Sequence, residues 1–203
     1  MLQTSIFAIH FAQVAELVDA LVSNTNEETR AGSSPALGTL KKAFNFESFF
    51  CILRIHFHKL MTEKKQERYD RAYIKMALEW AKLSHCKRKQ VGALIVKNRM
   101  IISDGYNGTP SGFKNCCEDE DEKTHWYVLH AEANAILKTA SSTHNCSGAT
   151  VYLTLSPCKD CSKLVHQAGI KRLVYINQYK DTSGIDFLNK AGVEVVEFDK
   201  NNL

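Results

Sequence analysis

Hydrophobic residues recur at helical spacing between residues 66 and 84. Intervals of three and four residues separate the apolar positions, which is the period of an amphipathic helix with one buried face. These positions are Tyr69, Ala72, Tyr73, Met76, Ala77, Trp80 and Leu83. We therefore predict a helix over 66–84 that packs its apolar face against another element.

Two β-rich runs follow this helix, at 91–96 and 100–106. The polar residues 97–99 between them have the length of a hairpin turn, so we predict an antiparallel pair. The glycines and the proline after the second run indicate a loop that extends to Gly112. The hairpin offers an apolar surface on which the helix can pack.

The rest of the chain alternates between helical and strand patterns. Helices are predicted at 131–140, 157–168 and 184–191, and strands at 149–154, 173–176 and 193–198. On the first of these helices, we expect Ala133, Ile136, Leu137 and Ala140 to share one apolar face. This order of elements predicts an α/β fold, a three-layer α/β/α sandwich with a five-stranded mixed sheet.

Residues 1–60 lack this regularity. The string at 15–22, together with Gly-Ser-Ser-Pro at 32–35, resembles the conceptual translation of a transfer-RNA gene. We therefore expect Met61 to be the true start of the protein and residues 1–60 to be a non-native extension, with an ordinary disordered extension as the alternative. The functional domain is then expected to occupy residues 61–203.

Composition and charge are ordinary for a soluble globular protein, with 44% hydrophobic and 24% charged residues. The net charge of +4 is below the strongly basic balance of a nucleic-acid binder and is compatible with a small anionic substrate. The seven cysteines are an odd number and no secretory signal precedes them, so we expect reduced thiols in the cytosol. Charged residues interrupt the apolar runs, so no membrane-spanning segment is predicted.

Four residues form the chemical centre of the sequence: His130, Glu132, Cys158 and Cys161. The two cysteines are three residues apart at the start of a helix opened by Pro157, so their sulfurs point the same way and can bind one Zn²⁺ at about 2.3 Å each. His130 can supply a third ligand, and three protein ligands leave the fourth position open, as in catalytic zinc sites. A carboxylate at Glu132 can then carry a proton between water and a substrate.

Taken separately, these motifs have less specific interpretations. A lone Cys-x-x-Cys is typical of half a structural zinc site or of a redox pair. In the order His-x-Glu and then Pro-Cys-x-x-Cys, they form the signature of the zinc-dependent nucleobase deaminases. A structural zinc site with Cys146 or His125 as fourth ligand is the alternative. The acidic run at 118–122 is expected to be a solvated loop.

At these residues the chain resembles the cytidine deaminase superfamily and, within it, the deoxycytidylate (dCMP) deaminase family. The resemblance extends over residues 69–198. Its motifs are Val-Gly-Ala at 91–93, Gly-Tyr-Asn-Gly-Thr-Pro at 105–110, and the segments 130–136 and 154–161. The zinc motif alone indicates the superfamily, whereas the Gly-Tyr-Asn-Gly loop narrows the resemblance to enzymes that act on nucleotides.

The resemblance implies a cytidine deaminase-like fold and hydrolytic deamination of dCMP at C4, which gives dUMP and ammonia and feeds thymidylate synthesis. It assigns one catalytic Zn²⁺ to His130, Cys158 and Cys161, and proton transfer to Glu132. Asn107 matches a residue of the family that approaches the sugar and the base.

Further substrate contacts are implied by the same resemblance. The backbone near Ala131 and Ser156 would hold the pyrimidine, and Tyr127 is placed to pack near the nucleotide. A 5′-phosphate requires fixed positive charge, and the nearest basic cluster in the sequence contains Arg88 and Lys89. The planar guanidinium of arginine suits a phosphate better than the point charge of lysine.

Some members of the family hold a second zinc ion near the active site. Cys86, Cys116, Cys117 and His125 could form such a site in this chain. Val128 stands where a matching carboxylate would be needed. This substitution weighs against the second site.

The resemblance further implies a homo-oligomer, with dCTP and dTTP as effectors at the loop 105–108. The cysteine usage and the lack of a spanning segment predict a cytoplasmic protein without membrane association. Two other functions stay open: a deaminase of another base (cytidine, cytosine, guanine or tRNA adenosine), and a non-enzymatic, zinc-stabilised DNA-uptake accessory module. The second would not need Glu132. The sequence has no long basic tail with interleaved aromatic residues, which disfavours a nucleic-acid substrate.

Overall fold

The computed structural model describes residues 46–203. Its elements are α1 (Phe46–Ala81), β1 (Gly92–Lys97), β2 (Met100–Tyr106), α2 (Ala131–Ala140), β3 (Thr150–Leu153), α3 (Lys159–Gln167), β4 (Arg172–Tyr175), α4 (Ser183–Lys190), β5 (Glu194–Glu197) and a 3₁₀ turn (Lys200–Asn202). Every element predicted after residue 66 is therefore present. Within the described residues, no helix combines the length and apolar character that a membrane crossing requires.

Helix α1 begins at Phe46, well before the predicted start at residue 66, and ends at Ala81. Met61 consequently lies inside this helix. The expectation that the protein starts at Met61 stays a prediction. Of the extension that it concerns, residues 1–45 lie outside the described residues. Residues 57–203 form a compact unit, which contains the sheet, helices α2 to α4 and the part of α1 from residue 57 onward.

The five strands form one mixed sheet in the order β2-β1-β3-β4-β5. Strand β1 is antiparallel to both β2 and β3, whereas β3, β4 and β5 are parallel to one another. Asn98 and Arg99 connect β1 to β2 with φ angles of 52° and 64°, as a two-residue hairpin turn of type I′ requires. The predicted hairpin and mixed sheet are confirmed.

Helices cover both faces of the sheet, because alternate residues of each strand point to opposite sides. One face packs against α2, α3 and α4 and contributes Ala93, Ile95, Val151, Leu153 and Leu173. The other packs against α1 and contributes Leu94, Val96, Tyr152 and Val174. The predicted three-layer sandwich is confirmed, with its core divided between the two faces.

The predicted apolar face of α2 is wrong. The buried residues are Ala131, Glu132, Ala135 and Thr139, while Leu137 and Ala140 are exposed. The reason is a close approach of α2 to β2 at Gly105, where a Cβ would lie 2.7 Å from the backbone nitrogen of Ala135. Only small side chains fit along this contact, so alanines occupy it and the larger leucine faces outward.

The buried face of α1 is also shifted from the predicted one. Tyr73 and Ala77 are buried as predicted, but Met76 and Leu83 are largely exposed. The buried stripe instead includes Ile74 and a carboxylate, Asp70. A hydrophobic pattern could not reveal Asp70, because its partners lie far away in the sequence.

Asp70 anchors α1 to the sheet. Its two carboxylate oxygens accept hydrogen bonds from Nη1 and Nη2 of Arg172 at 2.8 and 2.9 Å, and Oδ1 also accepts one from the hydroxyl of Tyr152 at 2.8 Å. The side chains of Arg172 and Asp70 are only 15% and 6% exposed. A planar guanidinium that donates twice to one carboxylate fixes the orientation of both groups.

We expect Asp70→Ala to lower the free energy of unfolding by about 3 kcal/mol, because removing one partner leaves a buried charge uncompensated. Glu67→Ala is the matched control on the same helix. It breaks an ion pair with Arg71 whose side chains are 43% and 49% exposed, and such pairs contribute less than about 1 kcal/mol. Urea denaturation of both variants measures the difference. Equal losses would contradict the assigned role of Asp70.

Candidate metal and nucleotide site

The predicted metal ligands lie at the start of two helices. His130 immediately precedes α2, and Cys158 immediately precedes α3, each with extended backbone (φ −74°, ψ 156° and φ −70°, ψ 168°). Cys161 lies in the first turn of α3 and is buried. Strand β3 leads directly into the Cys158 loop, so the ligands are fixed at one edge of the sheet.

The ligand atoms of these three residues lie within 4.8 Å of one another. The distances from Nδ1 of His130 to the sulfurs of Cys158 and Cys161 are 3.6 and 3.4 Å. One imidazole nitrogen and two sulfurs are a donor set that suits Zn²⁺, and three protein ligands are typical of a catalytic site. Among the side chains that the structure describes, no other group of three His, Cys, Asp or Glu residues meets this criterion.

The alternative fourth ligands do not join this group. Cys146 is buried beside Thr139, with Sγ and Oγ1 3.4 Å apart, and His125 stacks on Tyr127 with ring centroids 4.9 Å apart. Neither residue is part of the three-ligand cluster. The arrangement therefore favours an open fourth position over a closed structural site.

Protons are shared among the three ligands. Hydrogen bonds from Cys161 and His130 stabilise the Cys158 thiolate and lower its pKa to about 4. The hydrogen bond to Cys158, together with burial, raises the pKa of Cys161, and the hydrogen bond to Cys158 also raises the pKa of His130 above its ordinary value. Zinc binds thiolates and neutral imidazole, so metal binding releases the protons that these groups hold.

Glu132 is buried next to this cluster, in the first turn of α2, and is only 4% exposed. Burial raises the pKa of its carboxyl group to about 7, against the opposing effects of a backbone hydrogen bond and His130. A carboxyl group with a pKa near neutrality can both accept and donate a proton at physiological pH. Glu132 is not one of the three clustered ligands, which leaves it available for proton transfer.

A cavity of about 320 Å³ opens over the metal ligands. Among the residues that line it are His130, Glu132, Cys158, Asn107, Ala131, Ser156, Arg88 and Lys89, all of which the sequence analysis singled out. The cavity also has walls that the sequence analysis missed, including Tyr179, Lys180, Leu155 and Glu118. The structure thus brings the metal ligands, the buried carboxylate and several cations together around one space.

The missed residues Tyr179 and Lys180 come from the segment after β4. This segment is tied to the cysteine loop: the Ser156 amide donates to the carbonyl oxygen of Asn177 at 2.8 Å, and the Tyr179 amide donates to Oγ of Ser156 at 2.8 Å. Across the cavity, Nζ of Lys89 lies 5.7 Å from the centre of the Tyr179 ring. The sequence contained one indication of this position. The carboxyl ends of parallel strands meet at the same edge of a sheet, so the segment after β4 is expected to lie beside the cysteine loop that follows β3.

Asn107 lines the cavity and also holds the segment that carries Lys89. Its Oδ1 accepts a hydrogen bond from the Val91 amide at 2.8 Å, and its Nδ2 donates to the carbonyl oxygen of Lys89 at 2.8 Å. A carboxamide has two donor hydrogens and two acceptor lone pairs, so one of each is left for a ligand. The predicted contact of Asn107 with substrate stays a prediction.

Tyr127 does not line this cavity. It lies on a neighbouring surface depression with His125 and Lys114, and its ring packs against Phe113 with centroids 5.2 Å apart. The structure therefore does not bring Tyr127 together with the other predicted substrate residues, and its role stays a prediction.

Cys86 and Cys117, two of the residues considered for a second zinc, form a disulfide in this structure, with Cα atoms 5.1 Å apart. The prediction of reduced thiols is wrong for this pair, because the fold brings two cysteines that are 31 residues apart in the sequence within bonding distance. The adjacent Glu118 also departs from expectation, because it is buried rather than solvated. The next residues of the acidic run, Asp119 and Glu120, are exposed as predicted.

Comparisons with known proteins support the chemistry of this site. A sequence model described as the cytidine and deoxycytidylate deaminase zinc-binding region matches residues 67–177. The deoxycytidylate deaminase of Enterobacteria phage T4 is 39% identical over 163 residues and is matched over 84% of its length and 59% of this chain. The human deoxycytidylate deaminase is 34% identical, with 77% of its length and 62% of this chain matched.

A solved structure gives the same result. The dCMP deaminase of cyanophage S-TIM5, in complex with dCMP and dUMP, is 50% identical to this chain with a TM-score of 0.62. The match covers 95% of that protein and 63% of this chain. The sequence comparison and the fold comparison therefore both lead to proteins named as deoxycytidylate or dCMP deaminases.

Proposed function

The chain belongs to the cytidine and deoxycytidylate deaminase family, and we propose that it hydrolyses dCMP at C4 to give dUMP and ammonia. The observation that carries this proposal is the 320 Å³ cavity, which joins the zinc ligand set to a buried carboxylate and to three cations. Its relatives named deoxycytidylate deaminase, and the related structure that holds dCMP and dUMP, support the choice of substrate.

His130, Cys158 and Cys161 would hold one Zn²⁺. Zinc in such a site supplies a Lewis acid that lowers the pKa of a water ligand towards neutrality. Glu132 accepts a proton from the attacking water and delivers it to N3 of the base, and the remaining proton of that water passes through the same carboxylate to the departing amino group. The water oxygen becomes bonded to C4, the C4–N bond breaks, and ammonia leaves, so that dCMP and water give dUMP and ammonia.

The cations on the cavity wall are suited to the 5′-phosphate. Arg88 and Lys89 approach from the segment before β1, and Lys180 from the segment after β4. A nucleotide bound with its base over the metal ligands would carry its phosphate towards one of these groups. A nucleoside or free base would leave them unused, so the cation-lined wall favours a nucleoside monophosphate.

A substrate panel tests this proposal. Purified zinc-loaded protein should deaminate dCMP, measured as the loss of absorbance near 290 nm, with kcat/KM at least tenfold higher than for deoxycytidine, cytidine or cytosine. The reason is that hydrogen bonds from charged groups to the phosphate contribute about 1.5–3 kcal/mol each. Turnover of guanine or a nucleoside in place of dCMP would indicate a deaminase of another class. Zinc retention with no deamination of any base would indicate a non-enzymatic module.

The finer properties of the protein are proposed on the basis of the family. We propose that the catalytic domain is residues 61–203, which contains the matched region 67–177. We also propose a cytoplasmic homo-oligomer that responds to dCTP and dTTP. Light scattering measures the oligomeric state. Activity assays with added dCTP or dTTP measure the response to these nucleotides. A peptide from residues 1–60 in the native protein would contradict a start at Met61.

A further inference from the structure

Glu118 occupies an unusual position for a carboxylate. It begins an otherwise exposed acidic run, yet it is only 8% exposed and lines the cavity that we assign to an anionic substrate. A negative charge there would by itself repel a phosphate. Its presence therefore calls for a role that outweighs this repulsion.

The carboxylate of Glu118 is bonded to the backbone of the basic segment. Its Oε1 accepts hydrogen bonds from the amides of Lys87 and Arg88 at 3.0 and 3.2 Å. These residues are otherwise exposed. A single oxygen that accepts from two successive amides fixes the direction of the chain at that point.

Neighbouring contacts hold the same segment at its two ends. Before it, Cys86 is joined to Cys117, the residue that precedes Glu118. After it, the side chain of Asn107 bonds the backbone of Lys89 and Val91. Residues 86–91 are therefore held from both sides, and Glu118 supplies the contact in the middle, at the residues that carry the positive charge.

The side chains of this segment reach the cavity from that fixed backbone. Nη1 of Arg88 lies 3.5 Å from Oγ1 of Thr124, and Lys89 lies against the Tyr179 ring. Binding a phosphate orders the exposed cationic side chains and also the backbone that carries them, and a backbone that is already fixed removes the second of these entropy costs. The position of the backbone thus bears directly on the affinity for an anionic group.

We propose that Glu118 is a positioning residue for phosphate recognition: it holds the backbone of residues 87–88 so that Arg88 and Lys89 face the 5′-phosphate of the substrate. This role rests on the proposed deamination of a nucleoside monophosphate. Glu118 acts through the two amides and does not touch the substrate. Its function differs from that of Glu132, which handles the proton at the base.

Two substitutions separate the positioning effect from the effect of charge. Glu118→Ala removes the acceptor of both amide hydrogen bonds, and we expect the KM for dCMP to rise about tenfold with kcat within about threefold of wild type. Glu118→Gln keeps an oxygen acceptor and removes the negative charge. Its KM for dCMP should be equal to or below that of the wild type, because the repulsion of the phosphate is lost.

Deoxycytidine separates the positioning role from a merely structural one, because a structural defect would lower the activity on both substrates. It lacks the phosphate, so its kcat/KM should be the same in both variants and in the wild type. Glu120 is an exposed residue in the same acidic run, so Glu120→Ala is the matched control. This variant should keep the wild-type kcat/KM for both dCMP and deoxycytidine. Thermal unfolding and zinc content of each variant show whether the fold and the metal site are retained.

The outcomes are distinct. Wild-type protein that does not deaminate dCMP overturns the proposed function. If the wild-type protein deaminates dCMP, two results for Glu118→Ala overturn the positioning role alone. One is an unchanged KM for dCMP, and the other is an equal loss of kcat/KM on dCMP and on deoxycytidine. If Glu118→Ala does not fold, the glutamine variant decides, since a raised KM for dCMP in Glu118→Gln is incompatible with the role proposed here.

Discussion

Replacement of Glu132 by glutamine is expected to lower kcat for dCMP deamination by about a thousandfold, while the protein keeps its zinc. Proton transfer by a positioned group contributes about 10²–10⁴-fold to rate, and glutamine has the shape of glutamate without a group that can take up a proton. Glu132 is adjacent to the ligand cluster but is not one of its members. Initial rates and zinc content per chain, measured on the same preparation, test both parts.

The matched control for this variant is Asp186→Asn. Asp186 lies in the first turn of α4, as Glu132 lies in the first turn of α2, but the carboxylate of Asp186 is exposed whereas that of Glu132 is buried. The control should keep wild-type activity. A zinc-loaded Glu132→Gln protein with more than a tenth of wild-type kcat would show that another group carries the proton. Loss of zinc from this variant would show instead that the carboxylate is needed to hold the metal.

Replacement of Cys161 by serine is expected to reduce bound zinc from about one ion per chain to almost none and to abolish activity. The buried sulfur of Cys161 is one of only three clustered ligand atoms in the described residues, and zinc prefers a thiolate to a hydroxyl group. We also expect the melting temperature to fall, because a metal that binds the folded protein stabilises it. Metal analysis and thermal unfolding measure the two effects.

Cys116→Ser serves as the control for this substitution, since Cys116 is a free cysteine outside the three-ligand cluster. It should retain zinc and activity. Wild-type zinc content in Cys161→Ser would contradict the ligand assignment. Zinc loss in the Cys116 variant as well would contradict the placement of Cys116 outside the ligand set.

The residues proposed for zinc binding and proton transfer could be predicted from the sequence because their chemistry is local. Cys158 and Cys161 are three residues apart at a helix start, and His130 and Glu132 are two residues apart at another. Short spacing within regular structure determines how such side chains are directed. The hairpin turn at Asn98 and Arg99 was predictable for the same reason, because loop length selects turn type.

Other features depend on residues that are far apart in the sequence. Asp70 is buried because it meets Arg172 from β4, and Leu137 is exposed because α2 approaches β2 too closely for it. The sequence shows that a helix has an apolar side, but the packing of neighbouring elements decides which positions are covered.

By itself, the sequence determined the order of elements and predicted the clustered side chains His130, Cys158 and Cys161 with the carboxylate beside them, since each depends on spacing along a few turns of chain. Only the tertiary structure decided the cavity wall. It brought Tyr179 and Lys180 to the site from the end of a parallel strand, and it turned Glu118 inward to two backbone amides. The physical reason is that a hydrogen bond or a cavity joins groups by distance in space, which no local pattern in the sequence encodes.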